Sequence, residues 1–295
     1  MAFRDVLMPE VTSHITVGII GSGQMGQGIA EVFLLHGYNI FIYDTNNQNL
    51  NNADHALRGR LNRSHEKGII DTNQKACLLN NITPCSNLAQ FASCNLIIEA
   101  IIEDFDTKIS LLKKLGAYQN DSCILATNTS SFSITSLAKH TKNPEHFLGI
   151  HFFNPVHRMP LVEIIPHKAT HPNVTTTLTQ LITSIGKTPI TCQDSPGFIV
   201  NRLILPLINQ AIQLLESGVA TADAIDMAMT LGANFPMGPL ALADFIGLDT
   251  CLSILTTLSK SSHDPSLEPS FLLKSYVAHG KLGRKSGEGF FCYSK

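Results

Sequence analysis

Three features of this 295-residue sequence predict an α/β fold, in which a doubly wound, mainly parallel sheet is followed by an all-helical domain. Short runs that are apolar on both faces alternate with helical patterns through the first part of the chain. A glycine turn joins the first of these runs to the first helical pattern. After Ser195 the apolar spacing becomes almost entirely helical. Runs without an in/out alternation mark strands covered by helices on both sides, as parallel sheets are.

The elements follow in order. Ile15 to Ile20 is a β-branched strand ending at Gly21, and Gln24 to His36 carries apolar residues at helical spacing until Gly37 stops it. Further compact apolar runs at Asn39 to Tyr43, Leu96 to Ile101, Cys123 to Ala126, Phe147 to Phe153 and Leu161 to Ile165 predict five more strands. Asn173 to Ile185 reads as a helix and Thr188 to Thr191 as a last short strand. The second domain is predicted as helices over Phe198 to Glu216, Thr221 to Leu231, Pro239 to Thr257 and Ser270 to Ala278. Pro196 and Gly197 mark its start, with the proline suited to a first helical turn. The expected domains are residues 1–192 and 193–295. Ser259 to Pro269, rich in Ser, Pro and Asp, is expected to be a surface loop.

Composition narrows the function classes. With 44% hydrophobic and 15% charged residues the chain has apolar material for two compact domains. A net charge of -2 without runs of one sign leaves no footprint for nucleic acid or an anionic membrane. The seven cysteines are scattered without paired or zinc-type spacing, so reduced thiols and no metal site are expected. Met1 to His14 lack a basic region followed by an apolar core, so no export signal is expected. The longest apolar stretches, such as Leu96 to Ile102, are broken by glutamates well short of the roughly 20 residues of a membrane-spanning helix. A cytoplasmic, small-molecule enzyme is the resulting expectation.

Gly21-Ser22-Gly23-Gln24-Met25-Gly26 matches the GxGxxG pattern between a predicted strand and a predicted helix, the context in which it carries weight. The glycines allow a tight turn and close backbone approach to a pyrophosphate, which the amides and positive end of the helix dipole attract. Asp44, closing the second strand, stands where an acidic group bonds the adenine ribose hydroxyls and repels a 2′-phosphate. A Rossmann-type domain using NAD in preference to NADP is predicted. Glycines in such a pattern can also serve a turn alone, and the strand, helix and Asp44 together argue against that reading.

Residues with chemical capacity cluster in four further segments: Thr127-Asn128-Thr129-Ser130-Ser131, His151-Phe152-Phe153-Asn154-Pro155, Leu161-Val162-Glu163 and Pro196-Gly197-Phe198-Ile199-Val200-Asn201-Arg202. Three of them lie at or just after predicted strand ends, where ligand crevices of open α/β sheets form. With the glycine motif, Ile98 to Glu103 and the tail Gly287-Glu288-Gly289-Phe290-Phe291, these segments resemble the 3-hydroxyacyl-CoA dehydrogenase family, including its bacterial 3-hydroxybutyryl-CoA dehydrogenases. The resemblance runs in order from about His14 to Tyr293.

That resemblance implies interconversion of (S)-3-hydroxyacyl-CoA and 3-ketoacyl-CoA with NAD, on short-chain substrates such as 3-hydroxybutyryl-CoA. It implies that His151 takes the proton of the 3-hydroxyl and that Glu163 pairs with it. Ser130 and Asn201 would bond the substrate oxygen. Asn128, Asn154, Glu103 and Lys108 would line the cofactor, the last two at its nicotinamide end. It also implies a homodimer made through the C-terminal helical domain, for which the apolar helix from Phe198 to Leu215 is suited. The chemistry is consistent, because alcohol oxidation needs a base with a pKa near working pH, as an unperturbed histidine has. A carboxylate partner would fix its tautomer and stabilise its imidazolium. Preorganised donors would hold an oxygen that becomes alkoxide-like.

Each residue also has a plainer reading. A histidine among aromatics fits a core, Glu163 a strand edge, Ser130 and Ser131 helix or turn caps, and Asn201 a bond to a neighbouring loop. Arg58, Arg60, Arg63 and Lys67 form a basic stretch that fits either CoA phosphates, with Lys67 the best match, or a solvated helix face. His157, Arg158 and Pro160 depart from the family's commoner pattern, so chain length is not read from that segment. Two alternatives stand beside the main reading: a dehydrogenase of a sugar acid such as gulonate, and a crystallin-like structural protein on the same scaffold.

Overall fold

The computed structural model describes residues 15–262 and 265–293, so the expectation about Met1 to His14 falls outside it. The chain divides into two compact units, the first ending at Asp194 and the second beginning at Ser195.

The first unit is built on one eight-stranded sheet. In chain order its elements are β1 (Thr16–Ile20), α1 (Gln24–Leu35), β2 (Asn39–Tyr43), α2 (Asn47–Glu66), α3 (Thr72–Asn80), β3 (Ile82–Cys85), β4 (Leu96–Glu99) and α4 (Phe105–Leu115). They continue with β5 (Ile124–Thr127), α5 (Ile134–Ala138), β6 (Phe147–Phe152), β7 (Leu161–Pro166), α6 (Pro172–Ser184) and β8 (Thr188–Thr191). The spatial order is β3-β2-β1-β4-β5-β6-β7-β8. All neighbours run parallel except β6 and β7, which are antiparallel. The chain leaves β1 toward β2 on one side and later returns to β4 on the other, so a topological switch point lies at the carboxyl end of β1.

The central strands are buried on both faces, as their unbroken apolar runs predict. Val17, Ile19, Ile40, Ile42, Ile97 and Ile98 are wholly inaccessible to solvent. Burying a side chain of this size is worth about 1.5–3 kcal/mol, so the strand ends that carry polar groups are held on a stiff support. Helices α2, α3, α4 and α5 start at the side-chain caps Asn46, Asp71, Asp104 and Ser133. By contrast, α1 starts at Gly23 with no side-chain cap.

One strand escaped the sequence reading. β3 holds Pro84, paired opposite Ile42, and a proline is tolerated in a ladder only at an edge. Its four residues at the sheet margin carry too little apolar pattern to announce a strand.

The second unit comprises α7 (Val200–Glu216), α8 (Ala222–Gly232), α9 (Pro239–Ile246), α10 (Leu248–Ser262) and α11 (Phe271–Ala278). Leu205, Ile208, Ile212, Leu240, Leu248, Leu255 and Leu273 form its core. The single helix expected over Pro239 to Thr257 is two helices, because Gly247 at φ +103° breaks the chain between them. The loop expected from Ser259 starts later, since α10 continues to Ser262 and a short 3-10 turn covers Pro265–Leu267. No single helix among the described residues is long and apolar enough to cross a membrane.

Candidate active site

The glycine turn lies where β1 gives way to α1. Gly21 has φ +103°, and a Cβ at Gly26 would stand 1.8 Å from the Gly21 carbonyl oxygen, so neither place accepts a side chain without reshaping the turn. Gln24 and Met25 open α1, whose first amides face this turn without a capping side chain. Beside it is a cavity of about 680 Å³ lined by Gly21, Gly23, Tyr43, Asp44, Asn46, Ala100, Ile102 and Leu111, among others. Asp44 follows the last residue of β2. Its Oδ2 accepts hydrogen bonds from the Ser22 amide at 2.9 Å and the Ser22 hydroxyl at 2.8 Å, and its Oδ1 from the Asn46 amide at 2.9 Å. Burial alone would raise its pKa, yet the bonds from Asn46 and Ser22 prevail and hold it below the ordinary carboxylate value. An ionised carboxylate that keeps spare acceptor capacity beside a side-chain-free turn fits the ribose and pyrophosphate of a dinucleotide.

At the other end of the sheet, the antiparallel register of β6 and β7 sets His151 directly opposite Glu163. Glu163 Oε2 lies 2.7 Å from His151 Nδ1. Glu163 is wholly buried and His151 is 6% exposed. The Phe153 ring packs against the imidazole at 4.5 Å between centroids. A carboxylate so buried is tolerated only when it is bonded, and here the bond orients an imidazole.

Between these ends, the turn after β5 is tied to a knot of charges. Glu103 Oε1 accepts from the Thr129 hydroxyl at 2.6 Å, the Ser130 amide at 2.9 Å, the Ser131 hydroxyl at 2.8 Å and the Ser131 amide at 3.2 Å. Its Oε2 lies 3.3 Å from Lys108 Nζ. Burial pushes the Glu103 carboxyl up, but the Lys108 ammonium and the bonds from Thr129, Ser131 and Ser130 together hold it below its ordinary value. Lys108 is itself 1% exposed and donates at 2.6 Å to Glu99, which is wholly buried.

Against this geometry stand two family matches that together span nearly the whole chain. Residues 16–195 match the 3-hydroxyacyl-CoA dehydrogenase NAD binding domain, and residues 197–293 match the 3-hydroxyacyl-CoA dehydrogenase C-terminal domain. The chain belongs to the 3-hydroxyacyl-CoA dehydrogenase family. A probable 3-hydroxybutyryl-CoA dehydrogenase of Deinococcus radiodurans is 45% identical over 276 residues, covering 94% of this chain and 99% of the relative. A 3-hydroxybutyryl-CoA dehydrogenase of Bradyrhizobium diazoefficiens is 43% identical, with 94% of each chain covered. Among solved structures, an (S)-3-hydroxybutyryl-CoA dehydrogenase from Ralstonia eutropha superposes with a TM-score of 0.90 at 40% identity, covering 96% of this chain and all of that one. The first unit is thus the family's NAD-binding domain, and NAD is the cofactor.

The other residues that the family resemblance singled out are placed as follows. Asn128 spends its side-chain oxygen on the Phe152 amide at 2.9 Å, which ties the end of β5 to that of β6. Asn154 is exposed, two residues beyond β6. Asn201 belongs to the second unit, in the first turn of α7, and is 9% exposed. In the basic stretch, Arg58 is paired with Asp54 and Arg60 with Glu31, both at hydrogen-bond distance, which removes them as ready phosphate ligands. Lys67 is exposed at the C-cap of α2, with no ion pair among the described residues. Glu99 and Thr127 lie in segments that the sequence singles out, but the sequence gives neither of them a role. Each reads as a polar end to an apolar strand, and only the parallel register that sets them side by side reveals their bond.

Proposed function

We propose that this family member interconverts (S)-3-hydroxyacyl-CoA and 3-ketoacyl-CoA with NAD, acting on short chains such as 3-hydroxybutyryl-CoA, with His151 as the proton-transferring group. The observation that carries this reading is the buried Glu163 to His151 bond of 2.7 Å. With Nδ1–H directed at the carboxylate, the neutral ring presents its basic lone pair at Nε2. That nitrogen takes the proton from the 3-hydroxyl, and Glu163 stabilises the imidazolium that results. In the direction of reduction the same proton returns to the substrate oxygen. Ser130, held by Glu103, supplies a preorganised donor to that oxygen as charge develops on it. NAD, when bound, supplies the two-electron acceptor for the hydrogen at C3. Names of the relatives support the acyl-CoA substrate and the short chain.

Lys67 is assigned to the CoA phosphates, since Arg58 and Arg60 are committed to carboxylates. A homodimer through the second unit is the assembly this reading favours. Leu203, Leu214, Val219, Met227, Leu231 and Phe271 are between 44% and 79% exposed there, more apolar surface than a lone helical unit needs to show. Seven free thiols, four of them buried, suit a reducing compartment such as the cytoplasm.

His151→Gln tests the chemistry. Turnover is expected to fall by about a hundredfold to ten-thousandfold with NADH affinity retained, since general-base contributions have that size. Unchanged turnover would remove His151 from the reaction.

A further inference from the structure

Lys108 stands between two carboxylates, yet the two are not equivalent. Its Nζ is 2.6 Å from Glu99 Oε1 and 3.3 Å from Glu103 Oε2. We propose that Glu99 is a positioning residue: by holding Lys108 it sets where Glu103 stands, and Glu103 in turn holds the turn that presents Ser130. This deepens the proposed function and rests on its assignment of Ser130 to the substrate oxygen.

Glu99 gathers donors from three places. Oε1 also accepts the Ile101 amide at 2.8 Å, from the turn after β4, and Oε2 accepts the Thr127 hydroxyl at 2.6 Å, from the end of β5. The carboxylate is therefore fixed, and so is the ammonium bound to it. The charged groups facing Glu103 are Lys108 from α4 and, behind it, Glu99 from β4, while the 129–131 turn offers hydroxyls and amides. Asp104, which precedes the helix that carries Lys108, caps it by accepting the Thr107 amide.

Stability alone does not account for such a knot, because a buried ion pair is often matched or bettered by apolar residues of the same volume. Its effect is on placement. One ammonium is shared by two carboxylates, and its bias toward Glu99 leaves Glu103 Oε1 turned to the donors of residues 129–131. Without the charge on Glu99, the ammonium moves to Glu103 and draws that carboxylate off the turn.

The test is a carbon-13 NMR titration of the Glu103 carboxyl, assigned by its loss in Glu103→Gln, in wild-type protein and two variants. Glu99→Gln keeps the shape and removes the charge. Glu103 is then expected to titrate lower than in the wild type, and kcat to fall about tenfold, as a small misplacement of a substrate ligand would cause. Glu99→Gln with Lys108→Met removes the pair as a unit, so it leaves no uncompensated buried charge if the single variant does not fold. In it, Glu103 is expected to titrate at or above the ordinary glutamate value. A Glu103 titration that is the same in the double variant as in the wild type would overturn the proposal. A kcat in Glu99→Gln equal to that of the wild type would also overturn the proposal. If the shifts appear but the wild type fails to turn over 3-ketoacyl-CoA, it is the functional reading that falls.

Discussion

Burying a carboxylate costs several kcal/mol unless bonds replace its water, and this chain buries Glu99 and Glu163 completely. Both are bonded, Glu99 to Lys108 and Thr127 and Glu163 to His151. Replacing Glu163 by Gln keeps the shape but removes the charge that steadies an imidazolium, so turnover should drop by about a hundredfold or more with the fold intact. Stopped-flow rates beside a thermal melt would check this, and an unchanged rate would count against the pairing. Asp44→Ala should weaken NADH binding and narrow the preference over NADPH, measurable by fluorescence titration with the two cofactors. Asp44 and Glu103 also give a pH signature. Both are held below their ordinary values, so their contribution to stability is complete above about pH 4.5 and is lost as pH falls through the depressed folded values. A melting temperature that rose on acidification from pH 5 to 3 would contradict that sign. His151, Glu163, Asp44 and Ser130 were legible as candidates, from motif, strand position and the family resemblance. Glu99 was not, since its bonds to Lys108 and Thr127 depend on the register between β4 and β5.

Elements carry the site by ending in the right places. The turn from β1 to α1 depends on Gly26, where a methyl group would meet the Gly21 carbonyl at 1.8 Å. Gly26→Ala is expected to cost about 1–3 kcal/mol through overpacking and to weaken NADH binding by at least tenfold. Denaturant melts and a binding titration would show both, and wild-type affinity would mean that the turn is not the cofactor's seat. Central strands were readable from apolar runs alone, because a strand covered on both faces has no polar side to interrupt it. The edge strand β3, with Pro84, was not, and neither was the break at Gly247, where helical spacing continues across a residue whose backbone does not. The antiparallel turn of β7 is what sets Glu163 opposite His151, and the two apolar runs give no hint of strand direction.

On the scale of the whole molecule, an α/β unit with its helix termini and strand ends at one edge is joined to a helical unit that leaves large apolar side chains in solvent. Light scattering across working concentrations should give twice the chain mass, and a monomer throughout would exclude the homodimer. The most direct test of the central claim is loss of NADH absorbance with acetoacetyl-CoA, longer 3-ketoacyl-CoA thioesters and the matching free 3-keto acids. Rapid loss of absorbance with the thioesters, fastest for the short chain, and none with the free acids is the predicted result. Turnover of free acids but not of thioesters, or no turnover in folded protein that binds NADH, would contradict it and favour a sugar-acid dehydrogenase or a structural protein on the same scaffold.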